Sequence, residues 1–300
     1  MSRSGTVALV GRPNAGKSTL MNRLLAEKLA IVSDKPQTTR HRLVGILSSG
    51  EGQMVFHDTP GVHRPLHRLN QQMVRRALDA LNDADVVCLL VDAGTRFGAG
   101  DTYMLELVAK ARGTRLLALN KIDRVAKPSL LPQIERYARG EIFAEIVPIS
   151  AATGDGCERL LELLWKALPE GPPLYDPELL TIHPERFLAA ERIREKVLEQ
   201  TSEEIPFATA VIIERWEEEP GRDLLRLYAS ILADRPGQKA ILVGREGQRI
   251  KAIGTAARRD LEEFLGRRVY LDLQVRLEPG WREDRSILIQ LDRDVDLDLS

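Results

Sequence analysis

The chain has no run of 18 apolar residues, which excludes an ordinary membrane-spanning helix. Its opening stretch, MSRSGTVALVG, lacks the apolar core of a signal peptide, so export is not expected. Cysteine is scarce. Cys88 and Cys157 stand 69 positions apart in unrelated contexts, where two buried reduced thiols fit better than a disulfide. Charge of one sign is missing too, and a net charge of −1 says nothing by itself about partners. Internal repeats and low-complexity tracts are absent. What remains is a cytoplasmic globular protein, with peripheral association at the inner face of the cell membrane left open. The composition agrees: 43% apolar and 29% charged residues are ordinary for a soluble domain. Three hundred residues correspond to about two domains of roughly 150 each.

From residue 7 to residue 165 short apolar runs alternate with amphipathic stretches. TVALV, MVFHD, DVVCLLVD, RLLALNKID and EIVPIS read as buried strands. LNQQMVRRALDAL and ERLLELLWKAL have helical spacing. Such alternation predicts an α/β fold, a mostly parallel sheet with helices on both faces. LVGILSS lies close enough to MVFHD to pair antiparallel with it through the GEG turn. The proline-rich segment EGPPLYDPE reads as an interdomain linker. The expected division is therefore a first domain over 1–170, a linker over 171–180, a second domain over 181–280 and a tail over 281–300. In the second domain ERFLAAERIREKVLEQ is an amphipathic helix, and ATAVIIERWEE and LLRLYASILAD are strands joined by PGRD. A short strand KAILV, two helical stretches across 247–265 and a final strand RVYLDLQVRL follow, giving the order α-β-β-α-α-β.

Four motifs carry chemistry in the first domain. GRPNAGKS, from Gly11 to Ser18, follows a strand and precedes the helix TLMNRLL. Its glycines let backbone N–H groups converge on phosphate oxygens, and the helix adds its positive end. Arg12, Pro13, Asn14, Ala15, Gly16, Lys17, Ser18 and Thr19 are thus the expected phosphate-binding residues, with Lys17 as point charge and Ser18 as a Mg²⁺ ligand. In DTPG, Asp58 can hold Mg²⁺ through a water and the Gly61 N–H can meet a terminal phosphate. In NKID, the Asp123 carboxylate can accept two hydrogen bonds from guanine N1–H and N2–H₂, a donor pair that adenine lacks. Asn120 tethers neighbouring loops, the Lys121 stem covers the ring face, and SAATG offers Ser150 and the Ala151 N–H to the guanine oxygen. Each motif alone is a common turn or strand end. Together, in this order at strand ends, they point to a guanine nucleotide.

GRPNAGKS, DTPG, NKID and SAATG resemble the TRAFAC-class translation and ribosome-assembly GTPases. The run SDKPQTTRHRLVGIL is similar to the Era family in particular, and the similarity covers essentially the whole chain. The resemblance implies a P-loop GTPase domain followed by a type II K-homology domain, a GTP/GDP cycle with Mg²⁺, and a monomer. It places Thr38 and Thr39 in the first switch loop, with Thr39 as the preferred Mg²⁺ ligand and Thr38 as rival. GREGQRIKAIG contains a Gly-x-x-Gly loop, Gly244 to Gly247, of the kind that clamps a nucleic-acid backbone. Arg245, Glu246, Arg249 and Lys251 belong to the expected RNA surface, with Ile250 and Ile253 as candidates for base contact. Residues 236–276 carry 9 Lys+Arg against 5 Asp+Glu, which corroborates a polyanion partner without deciding it. Only the resemblance implies the ligand, the 3′ end of small-subunit ribosomal RNA within 30S precursor particles, and the task of assembling that subunit.

Position 62, where small signalling GTPases carry a water-orienting glutamine, is Val62. One reading is therefore a nucleotide-gated RNA scaffold without turnover. The other is hydrolysis resting on Lys17, Gly61 and Asn14, since in related GTPases an Asn at this loop position helps bind a monovalent cation such as K⁺. His57 and His63 flank DTPG, and chance proximity accounts for them. A tRNA-modifying or double-GTPase relative would share GRPNAGKS, but the chain has one phosphate loop and a K-homology tail.

Overall fold

The computed structural model describes residues 2–35, 38–61, 68–218, 221 and 223–293. They form two compact units, one ending at Ile182 and one starting at His183. The first contains strands β1 (Arg3–Gly11), β2 (Leu43–Ser49), β3 (Gly52–Asp58), β4 (Val86–Asp92), β5 (Thr114–Asn120) and β6 (Glu145–Pro148). They lie in one sheet in the order β2-β3-β1-β4-β5-β6. Only β2 runs antiparallel, as the GEG turn predicts. The helices are α1 (Lys17–Leu25), α2 (Arg68–Asp83), α3 (Ala99–Val108), α4 (Leu130–Ala138) and α5 (Cys157–Ala167). Val7 to Val10 are wholly buried on both faces of β1, so the apolar residues run without alternation. One face of β1, Ala8 and Val10, packs with Ala77 of α2 and Met104 of α3. Both cysteines are buried and free, and burial pushes the Cys88 thiol up to about 12.

This topology sends the loops after β1, β3, β5 and β6 to the carboxyl edge of the sheet, where α/β folds assemble ligand sites. It also corrects the linker. Residues 171–182 are not a loose tether, because they lie against the exposed side of β2. The Ile46 N–H donates to Leu180 O at 2.7 Å and Thr181 Oγ1 donates to Val44 O at 2.6 Å. Gln53, wholly buried, accepts the N–H groups of Leu174 and Tyr175 and donates to Tyr175 O. An edge strand with unpaired backbone groups is thereby covered, which proline content alone does not reveal.

The second unit contains α6 (Glu185–Gln200), β7 (Thr209–Glu218), β8 (Leu224–Ala233), α7 (Pro236–Val243), α8 (Gln248–Leu265), β9 (Arg268–Leu277) and α9 (Arg285–Arg293). Its sheet has the order β7-β8-β9, with β7 and β8 antiparallel and β8 and β9 parallel. Ile193 and Val197 of α6, Leu242 of α7 and Ala257 and Leu261 of α8 form the core with Ile213, Leu227 and Ile231 of the sheet. KAILV is not a strand but the end of α7. Pro236 occupies the first turn, and the N–H groups of Asp234 and Arg235 donate to Gln238 Oε1 at 3.0 and 3.1 Å. That capping overrides the β-preference of Ile241 and Val243. Residues 248–265 form one helix instead of two.

The expected tail is corrected as well. Trp281 is completely buried, and its indole N–H donates to Ala208 O at 3.1 Å. Asp234 accepts the Gly280 N–H at 2.6 Å and pairs with Arg282 at 3.0 Å. The Gly280 bond, with Arg282 adding to it, holds the Asp234 carboxyl below its usual range. Helix α9 continues from there, and residues 294–300 lie outside the described part. Among the described residues no helix is long and apolar enough to cross a membrane.

Two outcomes follow from this packing. Gln53→Ala should release residues 174–175, so chymotrypsin should cut at Leu174 or Tyr175 several times faster than in the native protein, as read by mass spectrometry. Trp281→Ala should destabilise the second unit by about 3–5 kcal/mol, measured by urea unfolding.

Candidate nucleotide site and nucleic-acid interface

The turn between β1 and α1 is built around two residues of positive φ, Asn14 at 62° and Gly16 at 96°. A Cβ on Gly16 would collide with the amide nitrogen of Asn120, so the loop needs glycine there on two counts. Helix α1 starts at Lys17 and directs its unpaired N–H groups at the loop. The Lys17 ammonium is buried among the loop carbonyls, 3.3 Å from Arg12 O and 3.5 Å from Gly11 O. Desolvation pulls its pKa below the ordinary value, and nearby Asp58 only partly restores it. A buried cation so placed lacks a full counter-charge, which phosphate oxygens supply.

Three oxygens converge beside it. Ser18 Oγ donates to Asp58 Oδ2 at 2.5 Å and lies 2.9 Å from Thr39 Oγ1, which itself reaches Asp58 Oδ2 at 3.2 Å. Thr38 is elsewhere: its hydroxyl donates to Lys35 O at 2.6 Å, a turn-capping bond. Burial raises the Asp58 pKa more than Lys17, Ser18 and Thr39 lower it. Asp58 Oδ1 is buried with no hydrogen-bond partner. An all-oxygen corner with an orphaned carboxylate oxygen fits Mg²⁺, a hard cation that keeps several ligands from water and phosphate. Among the described residues no three His, Cys, Asp or Glu side chains are grouped so as to hold a metal ion. Gly61 comes close to the phosphate loop, where an added Cβ would lie 2.7 Å from Pro13 Cα. Val62 and His63 lie outside the described residues.

Asn120, at the end of β5, joins the loops. Its amide donates to Ala15 O at 2.7 Å and accepts the Ala151 N–H at 2.9 Å. The Ala151 amide, expected at the base oxygen, is thus engaged in holding the loop. Ser150, wholly buried, donates to Asp123 Oδ1 at 2.6 Å and orients that carboxylate. Lys121 has a positive φ of 65° and its ammonium pairs with Asp92 at 2.7 Å, which lays out the aliphatic stem.

A cavity of about 340 Å³ gathers Pro13, Asn14, Gly16, Lys17, Ser18, Thr19, Thr38, Thr39, Gly61 and Lys121. Of the expected nucleotide-site residues, Arg12, Ala15, Asp58, Asn120, Asp123, Ser150 and Ala151 do not line it. The Arg12 guanidinium turns to Asp101 of α3 at 3.0 Å, and the Ala15 N–H closes a turn onto Arg12 O. Ile31, Val32, Ser33, Asp34 and Arg124 line it unforeseen. Ser33 and Asp34 begin SDKPQTTR, and Ile31, Val32 and Arg124 adjoin SDKPQTTR or NKID.

In the second unit, Gly244 (φ 73°), Glu246 (φ 51°) and Gly247 (φ 75°) form the turn between α7 and α8. A Cβ on Gly244 would stand 2.7 Å from Arg249 Cβ. Arg245 and Glu246 project into solvent, 89% and 76% exposed, and Lys251 is exposed on the first turn of α8. One expected RNA contact is corrected, because Ile253 is wholly buried in the core. Arg249 is exposed, with one guanidinium nitrogen donating to Ile241 O at 2.7 Å. Ile250 is half-buried at the core margin, and Ile241, not foreseen, is 41% exposed beside it.

Residues 6–121 match the family model for a 50S ribosome-binding GTPase, and residues 204–282 match that for a KH domain. GTPase Era of Syntrophus aciditrophicus is 44% identical over 96% of this chain and 94% of its own length. GTPase Era of Geobacter metallireducens is 46% identical over 96% of this chain and 97% of its own. Among solved structures, a single-substitution variant of Aquifex aeolicus Era bound to GDP·AlF₄⁻ superposes with a TM-score of 0.93 at 37% identity, covering 96% of this chain and 98% of the other. Era in complex with MgGDPNP and nucleotides 1506–1542 of 16S ribosomal RNA gives 0.94 at 37% identity, covering 97% and 99%. With a phosphate loop, a metal corner and a KH unit on one chain, and identity running through both, the protein belongs to the Era family of GTPases.

Proposed function

We propose that the chain is a GTP-hydrolysing switch that binds small-subunit ribosomal RNA near its 3′ end through the KH unit and serves assembly of the 30S subunit. The observation that carries the switch is the oxygen corner of Ser18, Thr39 and Asp58, which joins the first switch loop to the phosphate loop. The RNA half rests on the Gly244–Gly247 turn and on the relative that holds 16S nucleotides.

Ser18, Thr39 and Asp58 would hold Mg²⁺, which when bound offsets charge on the phosphates. Lys17 supplies a buried positive charge at the outer phosphates, and the N–H groups at the start of α1 fix their position. Gly61 presents its N–H where a terminal phosphate would sit, and losing that phosphate releases the segment after DTPG. Asp123, held by Ser150, takes the two N–H donors of guanine, with the Lys121 stem against the ring. Asn14 lines the cavity and its amide donates to Asp34 O at 2.7 Å. Bound through the Asn14 side-chain oxygen, a monovalent cation such as K⁺ would supply charge that no side chain at position 62 offers. On the RNA side, Gly244 and Gly247 allow a sugar–phosphate backbone to approach the N-terminus of α8. Arg245 and Lys251 add exposed positive charge, and Ile241 and Ile250 offer apolar contact to bases.

Multiple-turnover phosphate release should exceed that of Lys17→Ala, run faster in K⁺ than in Na⁺, and lose the salt preference in Asn14→Ala. No release above the Lys17→Ala control, with pre-rRNA present, would leave a nucleotide-gated scaffold instead. Equal rates in both salts would remove the cation role. For RNA, Gly244→Asp should weaken binding of a 16S 3′-end oligonucleotide by about 10-fold or more while nucleotide affinity stays unchanged, as read by fluorescence anisotropy. Unchanged RNA affinity would move the interface elsewhere.

A further inference from the structure

The structure ties the base loop to a residue outside all four nucleotide motifs. Arg23, in the last turn of α1, reaches across to the SAATG loop. Its Nε donates to Ala151 O at 3.3 Å and its Nη2 to Ala152 O at 2.5 Å. A Cβ on Gly154 would meet the same guanidinium at 3.9 Å, an ordinary contact distance. Successive amides of this loop are accounted for in turn. The Ala151 N–H goes to Asn120 Oδ1 at 2.9 Å, and the Thr153 N–H goes to Ser150 Oγ at 3.2 Å. Between them lies the Ala151–Ala152 peptide. Peptides among the described residues are trans, so the C=O of Ala151 and the N–H of Ala152 point in opposite directions. Holding that carbonyl toward α1 turns the Ala152 N–H away from α1.

We infer that Arg23 is a positioning residue for purine selectivity, clamping the Ala151–Ala152 peptide so that the Ala152 N–H meets the 6-oxygen of the base. This rests on the guanine reading above and adds to it the donor and the side chain that aims it. Two fork-like donors on neighbouring carbonyls orient two successive peptides, Ala151–Ala152 and Ala152–Thr153, in a way one ammonium cannot. Arg23 touches neither base nor phosphate in this arrangement, so its removal should change discrimination at one edge of the purine and leave the rest of the site in place.

The test compares three ligands by displacement of a fluorescent GDP analogue. GDP carries the 6-oxygen and both N–H donors. 6-Thioguanosine diphosphate keeps the donors and replaces the oxygen by a weakly accepting sulfur, and inosine diphosphate keeps the oxygen and loses the 2-amino group. In Arg23→Ala, GDP affinity should fall by about 3- to 10-fold and 6-thioguanosine diphosphate affinity should hold, so that this preference collapses. The preference for GDP over inosine diphosphate should remain. Arg23→Lys, which folds with the same charge, should recover only part of the lost preference. Equal loss for GDP and its 6-thio analogue in both variants, or no loss, overturns the role of Arg23. A native protein that does not favour GDP over inosine diphosphate, with Asp123→Ala changing neither, would instead overturn the guanine reading itself.

Discussion

The site depends on one buried amide. Asn120 sits at the end of a central strand, 1% exposed, and satisfies both its donor and its acceptor on other loops. Ala15 O belongs to the phosphate loop and the Ala151 N–H to the base loop, so a single side chain sets the distance between the two ends of a nucleotide. Gly16 presses against the same amide and can be nothing larger. Removing Asn120 would leave a carbonyl and an N–H buried without partners, a cost of about 1–3 kcal/mol each. The parallel sheet makes this economy possible, because β1, β5 and β6 all deliver their loops to one edge.

Around that fixed frame the phosphate end is left electrostatically incomplete. Lys17 and Asp58 are both buried and both pushed toward their neutral forms by desolvation, each offset only in part by the other. A buried pair of this kind adds little to stability and is kept for what it binds. Thr39 closes onto Ser18 and Asp58, so the first switch loop is attached to the site by hydroxyl contacts of marginal strength. Four residues after Thr39 the chain enters β2, along which residues 180–182 are laid. The switch loop and the segment that leads out of the first unit thus share one edge strand. A ligand that holds Thr39 in one position biases that strand only through the difference in its affinity for the two positions.

The sheet, the four nucleotide motifs and the antiparallel pairing of β2 with β3 were legible because each is a local pattern of apolar period, glycine and turn. The glycines at 16, 61 and 244 were legible for the same reason: close approach excludes any side chain, and sequence records that directly. What could not be read are choices made by packing. KAILV has the composition of a strand, and only the reach of Gln238 to two preceding amides makes it a helix. Residues 281–293 follow an apparent last strand, and burying one indole turns them into part of the core. Thr38 and Thr39 are the same side chain in adjacent positions, and the backbone alone decides which faces Asp58. Ile253 had the residue type of a base-contacting surface, yet helix phase puts it inside the core.

The missing glutamine takes on a different weight in this frame. A side chain that orients water is one way to lower a phosphoryl-transfer barrier, but most of the effect comes from charge placed in advance where it develops. Here that charge is already arranged: a desolvated ammonium, a helix N-terminus and an oxygen corner suited to Mg²⁺. What Val62 removes is a contact to the nucleophile, which affects rate and leaves the binding of either nucleotide intact. On the function proposed above, such a chain would hold its triphosphate form for a long interval and leave it when a further charge is supplied. Slow exit of that kind suits a switch whose signal is the duration of the bound state and not the speed of turnover. The constraint then falls on selectivity, since a protein that waits must not wait on the wrong purine. This accounts for why the base loop is fastened from three sides, by Asn120, Ser150 and Arg23.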